Sequence, residues 1–407
     1  MLLNSNFIRC TFLLNRTSSK EILSDVKSIF LITTLAISLT NCGFGQVQNR
    51  DSKNYDKVII PVGKGAASVE IADFNRDGKP DIAVANTEDG SLTILLNGGG
   101  RKFTPASGSP FYAGNFPNDI NIADFNKDGN LDIALANHEK KYFTVLFGNG
   151  KGQFSQAPRS PFAVEVSPHT HGIISADFNS DGNLDIATDS WGVDKIVVLS
   201  GDGKGNFANP IYYETGKHPY QRLRTADLNK DGKPDIVTTN LDGNNVTILL
   251  GDGNGGFSKH FFDAGVVPFG VAIGDLNADG ILDLAVINSP TISGGKPGKD
   301  GLTILMGDGN GNFSMLKGSP FETGLGPTRV AIGDLNNDSI NDIAVSNINS
   351  NFVSVYYMGK NGVESSSQLS IGKGSDGIAI FDLDGDGKND IIATSTNENN
   401  VTIFFGK

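Results

Sequence analysis

The stretch "ADFNRDGKPDIAVAN" (Ala72–Asn86) sets four side-chain oxygen donors into nine residues: Asp73, Asn75, Asp77 and Asp81. Gly78 stands at the sixth place and an apolar run follows directly. Carboxylates this close repel one another unless a cation lies among them. Oxygens at positions 1, 3, 5 and 9, with a backbone carbonyl at 7, supply the six to eight ligands that calcium takes. Glycine at position 6 lets the loop turn sharply, because it reaches positive φ without a Cβ clash.

The unit is not alone. It recurs as Asp124, Asn126, Asp128, Asp132, then Asp177, Asn179, Asp181, Asp185, and then Asp227, Asn229, Asp231, Asp235. Three more copies follow: Asp275, Asn277, Asp279, Asp283, then Asp334, Asn336, Asp338, Asp342, and last Asp382, Asp384, Asp386, Asp390. The copies start 48 to 59 residues apart. Each is followed by a short β-type run such as "DIAVAN" or "DIALAN", then by a second such as "SLTILL", and in most units by a turn such as "GDGKGNF" (Gly201–Phe207). A variable strand and a lead-in strand ("VEIADF", "VAIGDL") complete the unit, and no segment keeps a helical period. The fold class is therefore all-β.

Four short strands per unit of about 50 residues is the size of a propeller blade. The last unit ends at "NNVTIFFGK" without a fourth strand, while "DKVIIPVG" (Asp56–Gly63) precedes the first loop as an orphan. The two halves match. The expected architecture is a seven-bladed β-propeller over residues 56–407, closed by the N-terminal strand completing the last blade, which also removes open sheet edges. Tryptophan-aspartate propeller repeats are excluded by the single Trp191, and EF-hands by the missing Glu at loop position 12. Calcium is expected at up to seven sites. The sixth loop, with Ser339 in place of glycine, should be the weakest; the seventh, with a fourth carboxylate at Asp384, the tightest.

The bulk numbers agree. The chain has 407 residues, a formal charge of −12 and two cysteines, Cys10 and Cys42, so no disulfide staples the body. Residues 1–41 hold four basic and two acidic side chains, so a chain starting at Cys42 carries −14, which seven Ca²⁺ would neutralise. The acidity is thus a metal signature, and it argues against nucleic acid, which wants clustered Lys and Arg.

Residues 1–42 read as a targeting segment, followed by a short linker over 43–55. "SIFLITTLAISLT" (Ser28–Thr40) is apolar and uncharged, shorter than a membrane span and suited to a signal sequence. It runs into "LTNCG" (Leu39–Gly43), which resembles a bacterial lipobox and marks Cys42 for lipidation; Asn41 departs from the usual small residue. The alternatives are a plain secretory peptide and an uncleaved anchor. The chain is expected to be exported, as a surface lipoprotein or secreted, touching membrane only through that lipid.

The seven loops with their "FN.DG..DI" surroundings resemble the FG-GAP/VCBS repeat family, which includes integrin α-subunit propellers, many secreted bacterial proteins and similar fungal lectins. The resemblance covers roughly residues 56–407. It implies calcium in the loop between the first two strands of each blade, and it fixes no function.

A ligand site is expected on the face opposite the calcium loops. His138, His169, His171 and His218 fall there with Trp191, Tyr142, Tyr220 and Arg222, joined by the insert at Ser289–Gly301 with Lys296 and Lys299. Histidine, aromatic and arginine side chains near a propeller mouth suit a sugar or peptide. The first reading is a monomeric binding module, lectin- or adhesin-like, for a carbohydrate or protein ligand. The alternatives are a structural surface scaffold and a polysaccharide lyase using His171, Tyr220 and Arg222 on uronates. No nucleophile motif or phosphate loop occurs.

Overall fold

The computed structural model describes residues 54–164 and 170–407. Cys42, the targeting segment, the linker up to residue 53 and His169 lie outside the described residues. Seven antiparallel sheets follow one another along the chain. Their innermost strands are Ala66–Ala72, Pro117–Ala123, Ile173–Ala176, Pro219–Ala226, Pro268–Gly274, Pro327–Gly333 and Ser375–Phe381. Each of these touches the next, and the seventh returns to the first, so they form a closed ring around an axis.

Closure works as the sequence implies. Tyr55–Pro61 pairs with Asn400–Gly406, from Tyr55 opposite Gly406 to Pro61 opposite Asn400, and so becomes the outer strand of blade 7. The outer edges elsewhere are less regular than a single strand. Blades 1, 2 and 5 build theirs from two short pieces, such as Phe103–Pro105 and Phe111–Tyr112, both paired to the third strand.

The second strands explain the core. Asp81–Asn86 and its six counterparts are buried at every position, because each is covered on both faces by the adjoining blades. That is why they read as continuous apolar runs rather than alternating ones. The core lies between blades: Ala83, Leu92 and Ile94 of blade 1 pack with Ile120, Ile133 and Leu146 of blade 2. At the seam Val69, Ile82 and Leu95 meet Ile392, Ile403 and Phe405 in the same way.

Candidate functional site

Each acidic loop is bracketed by one strand pair. The residue before position 1 faces position 9 across the ladder, as Ala72 faces Asp81 and Phe381 faces Asp390. Within the loop the carboxylates fold the backbone. Asp73 Oδ2 accepts the Gly78 N–H at 2.8 Å, and Asp77 Oδ1 accepts the Lys79 N–H at 2.9 Å. The same bonds recur in all seven copies; in the sixth, the Ser339 N–H donates to Asp334 Oδ2 at 2.8 Å.

Ser339 achieves this at φ 69°, where its neighbours have glycine at about 80°. A side chain in that region costs roughly 1 kcal/mol. Ser339→Gly is therefore expected to raise stability by about 0.5–1 kcal/mol in denaturant melts; an unchanged midpoint would mean the serine relieves its own strain.

Position 9 does more than the sequence reveals. All seven of these aspartates are buried, and each oxygen accepts one backbone N–H. Asp132 Oδ2 takes the Phe125 N–H at 3.0 Å and Oδ1 the Gly148 N–H at 2.9 Å, stapling the loop to the end of the third strand. Gly148 is required there, since a Cβ would stand 2.1 Å from the Leu131 carbonyl oxygen. Burial raises the Asp132 carboxyl to about 6; the two N–H bonds oppose this, and Asp128 and Asp124 add to it. Asp81, Asp185, Asp283, Asp342 and Asp390 also rise to about 6 through burial. A carboxylate crowded by others and lacking a positive partner fits a hard cation with oxygen ligands, and the donor set holds no nitrogen or sulfur. Asp382, Asp384 and Asp390 form the one cluster, among the described residues, whose acidic ligand atoms lie within 4.8 Å of each other.

The axis carries a second cluster. Asp119 Oδ1 lies 2.6 Å from an Arg222 guanidinium nitrogen and 3.2 Å from one of Arg329. Asp119 Oδ2 accepts the Ile173 N–H at 3.3 Å, while Arg329 donates to the Asn118 carbonyl at 2.6 Å and to Asp376 at 3.3 Å. These contacts tie blades 2, 3, 4, 6 and 7 across the ring, with Asp119, Arg222 and Arg329 at most 6 % exposed. The chain bends for this: the register breaks between Tyr220 and Arg224, and Arg222 takes φ 88°.

Glu70 stands beside this cluster, and burial raises its carboxyl to about 7 despite Arg224, with Asp119 adding to the rise. The native chain thus holds this proton more tightly than the unfolded one. Stability is lost as pH rises from about 4.5 through 7. Glu70→Gln is expected to leave stability unchanged at pH 4.5 and to raise it by on the order of 1–2 kcal/mol at pH 8. Equal melting curves at pH 8 would contradict that electrostatic assignment.

On the opposite face the proposed ligand residues separate into two groups. His138, His171, Tyr220 and Phe269 lie in a row across blades 2 to 5, their rings tilted 46 to 55° to one another, with centroids 4.8, 4.3 and 4.8 Å apart. His171 is buried, its Nδ1 2.8 Å from Asp189, and Arg222 is buried on Asp119. Both therefore lie beneath the surface, not on it. His218 remains partly exposed and pairs with Asp242, which also binds Lys296 of the blade 5 insert. Trp191 starts a short 3₁₀ turn, and the Tyr142 hydroxyl accepts the Asn115 N–H at 3.3 Å.

Four exposed apolar side chains stand on loops of this face. Phe116, Val266 and Leu325 precede inner strands, and Val193 ends the blade 3 turn; all are 38 to 58 % exposed. Phe116 lies on this face because its carbonyl accepts the His138 N–H just past the second strand. The lead-in "Gly-x-x-Pro" repeats in blades 2, 4, 5 and 6, and an exposed apolar residue fills it in blades 2, 5 and 6 while blade 4 has Lys217 and His218 there.

A model described as FG-GAP-like repeat matches residues 73–135, 124–188, 227–286 and 336–393. No curated protein matches the sequence. Among solved structures, BBS1N in complex with ARL6DN is similar at 14 % identity and TM-score 0.59, over 88 % of this chain and 98 % of that one. A hydrazine synthase from Kuenenia stuttgartiensis is similar at 12 % identity and TM-score 0.57, over 89 % and 98 %. A functionally unknown protein from Desulfotomaculum acetoxidans DSM 771 gives 14 % and 0.54, over 77 % and 91 %. At these identities the likeness is one of fold.

Proposed function

Because this chain belongs to the FG-GAP-like repeat family, a fold that serves as a general binding and scaffold module, we propose that it is an exported, calcium-stabilised propeller that binds a protein partner through the face opposite its acidic loops. The observation that carries the choice of partner is the apolar crown of Phe116, Val193, Val266 and Leu325. Exposed apolar side chains on the loops of one face favour a protein surface over a hydroxyl-rich sugar. The closure strand and the seven loops supply a rigid ring for that face, and calcium would be held by the loop aspartates and asparagines. Export rests on the apolar segment Ser28–Thr40, and lipidation at Cys42 on the residues around it.

The half-buried ring row of His138 and Tyr220 favours carbohydrate as the second reading. The lyase reading is weaker, because His171 and Arg222 are engaged in buried ion pairs. The test is a surface-protein screen and a glycan array run side by side, on the native chain and on a Val266→Asp/Leu325→Asp variant. The proposal expects saturable protein binding, lost in the variant and after chelation. Binding that survives the variant places the ligand elsewhere. Glycan hits alone move the assignment to a lectin, and unsaturated uronate product would revive the lyase.

A further inference from the structure

Two departures from the repeat meet in space. Six loops carry Asn at position 3, and only the seventh carries an aspartate, Asp384. Four of the turns after the third strand, in blades 2 to 5, have glycine at the fifth place, at Gly152, Gly205, Gly255 and Gly311, with φ of 75 to 83°. Blade 1 instead has "NGGGRKF" (Asn97–Phe103), which puts Arg101 there at φ 62°. A long side chain thus occupies a backbone conformation that the other copies leave to glycine.

Its guanidinium explains the exchange. Arg101 Nε donates to Asp384 Oδ2 at 2.7 Å, and a terminal nitrogen donates to Asp56 Oδ2 at 2.9 Å. The same group lies 4.5 Å from the Phe405 ring centroid. Asp56 belongs to the closing strand and Phe405 to the strand it closes on; Lys407 holds the other Asp56 oxygen at 2.7 Å. Asp384 is only 11 % exposed at its side chain, so its extra charge has the guanidinium as a close partner rather than bulk water. One arginine therefore bridges the seventh acidic loop and the seam of the ring.

We propose that Arg101 is the resident counter-cation of the seventh loop, coupling that loop's metal occupancy to ring closure. The inference rests on the reading that the loops hold calcium. In the metal-free ring Arg101 neutralises the fourth carboxylate and pins the closing strand. A calcium ion can draw on that carboxylate in full only when Arg101 lets go of it. The fourth carboxylate therefore does not make the seventh loop the tightest, as loop composition alone implies; it binds calcium no better than the loops with Asn at position 3.

The test is calorimetric calcium titration of the metal-stripped chain, with metal-free melting, for the native protein, Arg101→Gln, Asp384→Asn and the double variant. Arg101→Gln is expected to tighten one site at least tenfold, leave the others unchanged and lower the metal-free melting temperature. The double variant should show no tightened site. Asp384→Asn restores the residue of the other six loops; it should lower metal-free melting alone and have no further effect once Arg101 is gone. Native calcium binding with no tightened site in Arg101→Gln overturns this proposal alone. A native chain that takes up no calcium overturns the loop reading itself.

Discussion

Asp119→Ala is expected to destabilise the ring by about 3–5 kcal/mol, the penalty for leaving buried charge without its partner. The substitution would leave buried Arg222 without its carboxylate and take from buried Arg329 one of its two, with Asp376 remaining at 3.3 Å. It would also remove the acceptor for the Ile173 N–H. Because the contacts span five blades, the loss should appear as a lower midpoint of the whole cooperative transition in chemical denaturation. Asp119→Asn keeps the shape and one acceptor and should cost less. A loss under about 1 kcal/mol for the alanine variant would show that the arginines find water instead.

The second large effect belongs to the position-9 aspartates. Asp132→Ala orphans the buried N–H groups of Phe125 and Gly148. At roughly 1–3 kcal/mol for each of the two unsatisfied groups, the expected loss is about 2–6 kcal/mol. The decisive condition is chelator, where no metal contributes. A full loss there identifies Asp132 as a backbone staple as well as a metal ligand. If the variant matches the native chain in chelator and differs only in calcium, the staple contributes nothing and the residue is a ligand alone.

Much of this was legible because the repeat is explicit. The spacing of the loops, the apolar second strands and the orphan "DKVIIPVG" gave blade number and closure, and the pairing of Tyr55–Pro61 with Asn400–Gly406 is the expected one. The ligand face was less legible. Loop residues can be assigned to a face from strand order, but depth depends on neighbours distant in sequence. His171 is buried because Asp189, His138 and Tyr220 surround it, from its own blade and the two beside it. Arg222 reads in sequence as a ligand-binding cation, while its partner Asp119 lies 103 positions away in the numbering, on another blade. The axial cluster had a faint signal: Arg329 in "PTRVAIG" stands where blades 5 and 7 have Gly270 and Gly377. The dual role of position 9 had none, since an aspartate that staples two N–H groups and one that binds metal read alike.

Calcium uptake by the metal-stripped protein, measured by titration calorimetry at neutral pH, tests the central claim most directly. The account predicts several equivalents and at most seven, with affinities extending to the ~10⁻⁴–10⁻³ M range of extracellular modules and the loop of Ser339 filling last. Folded protein that takes up no calcium at millimolar concentration would contradict it, and the acidic loops would then be turns held by their own hydrogen bonds.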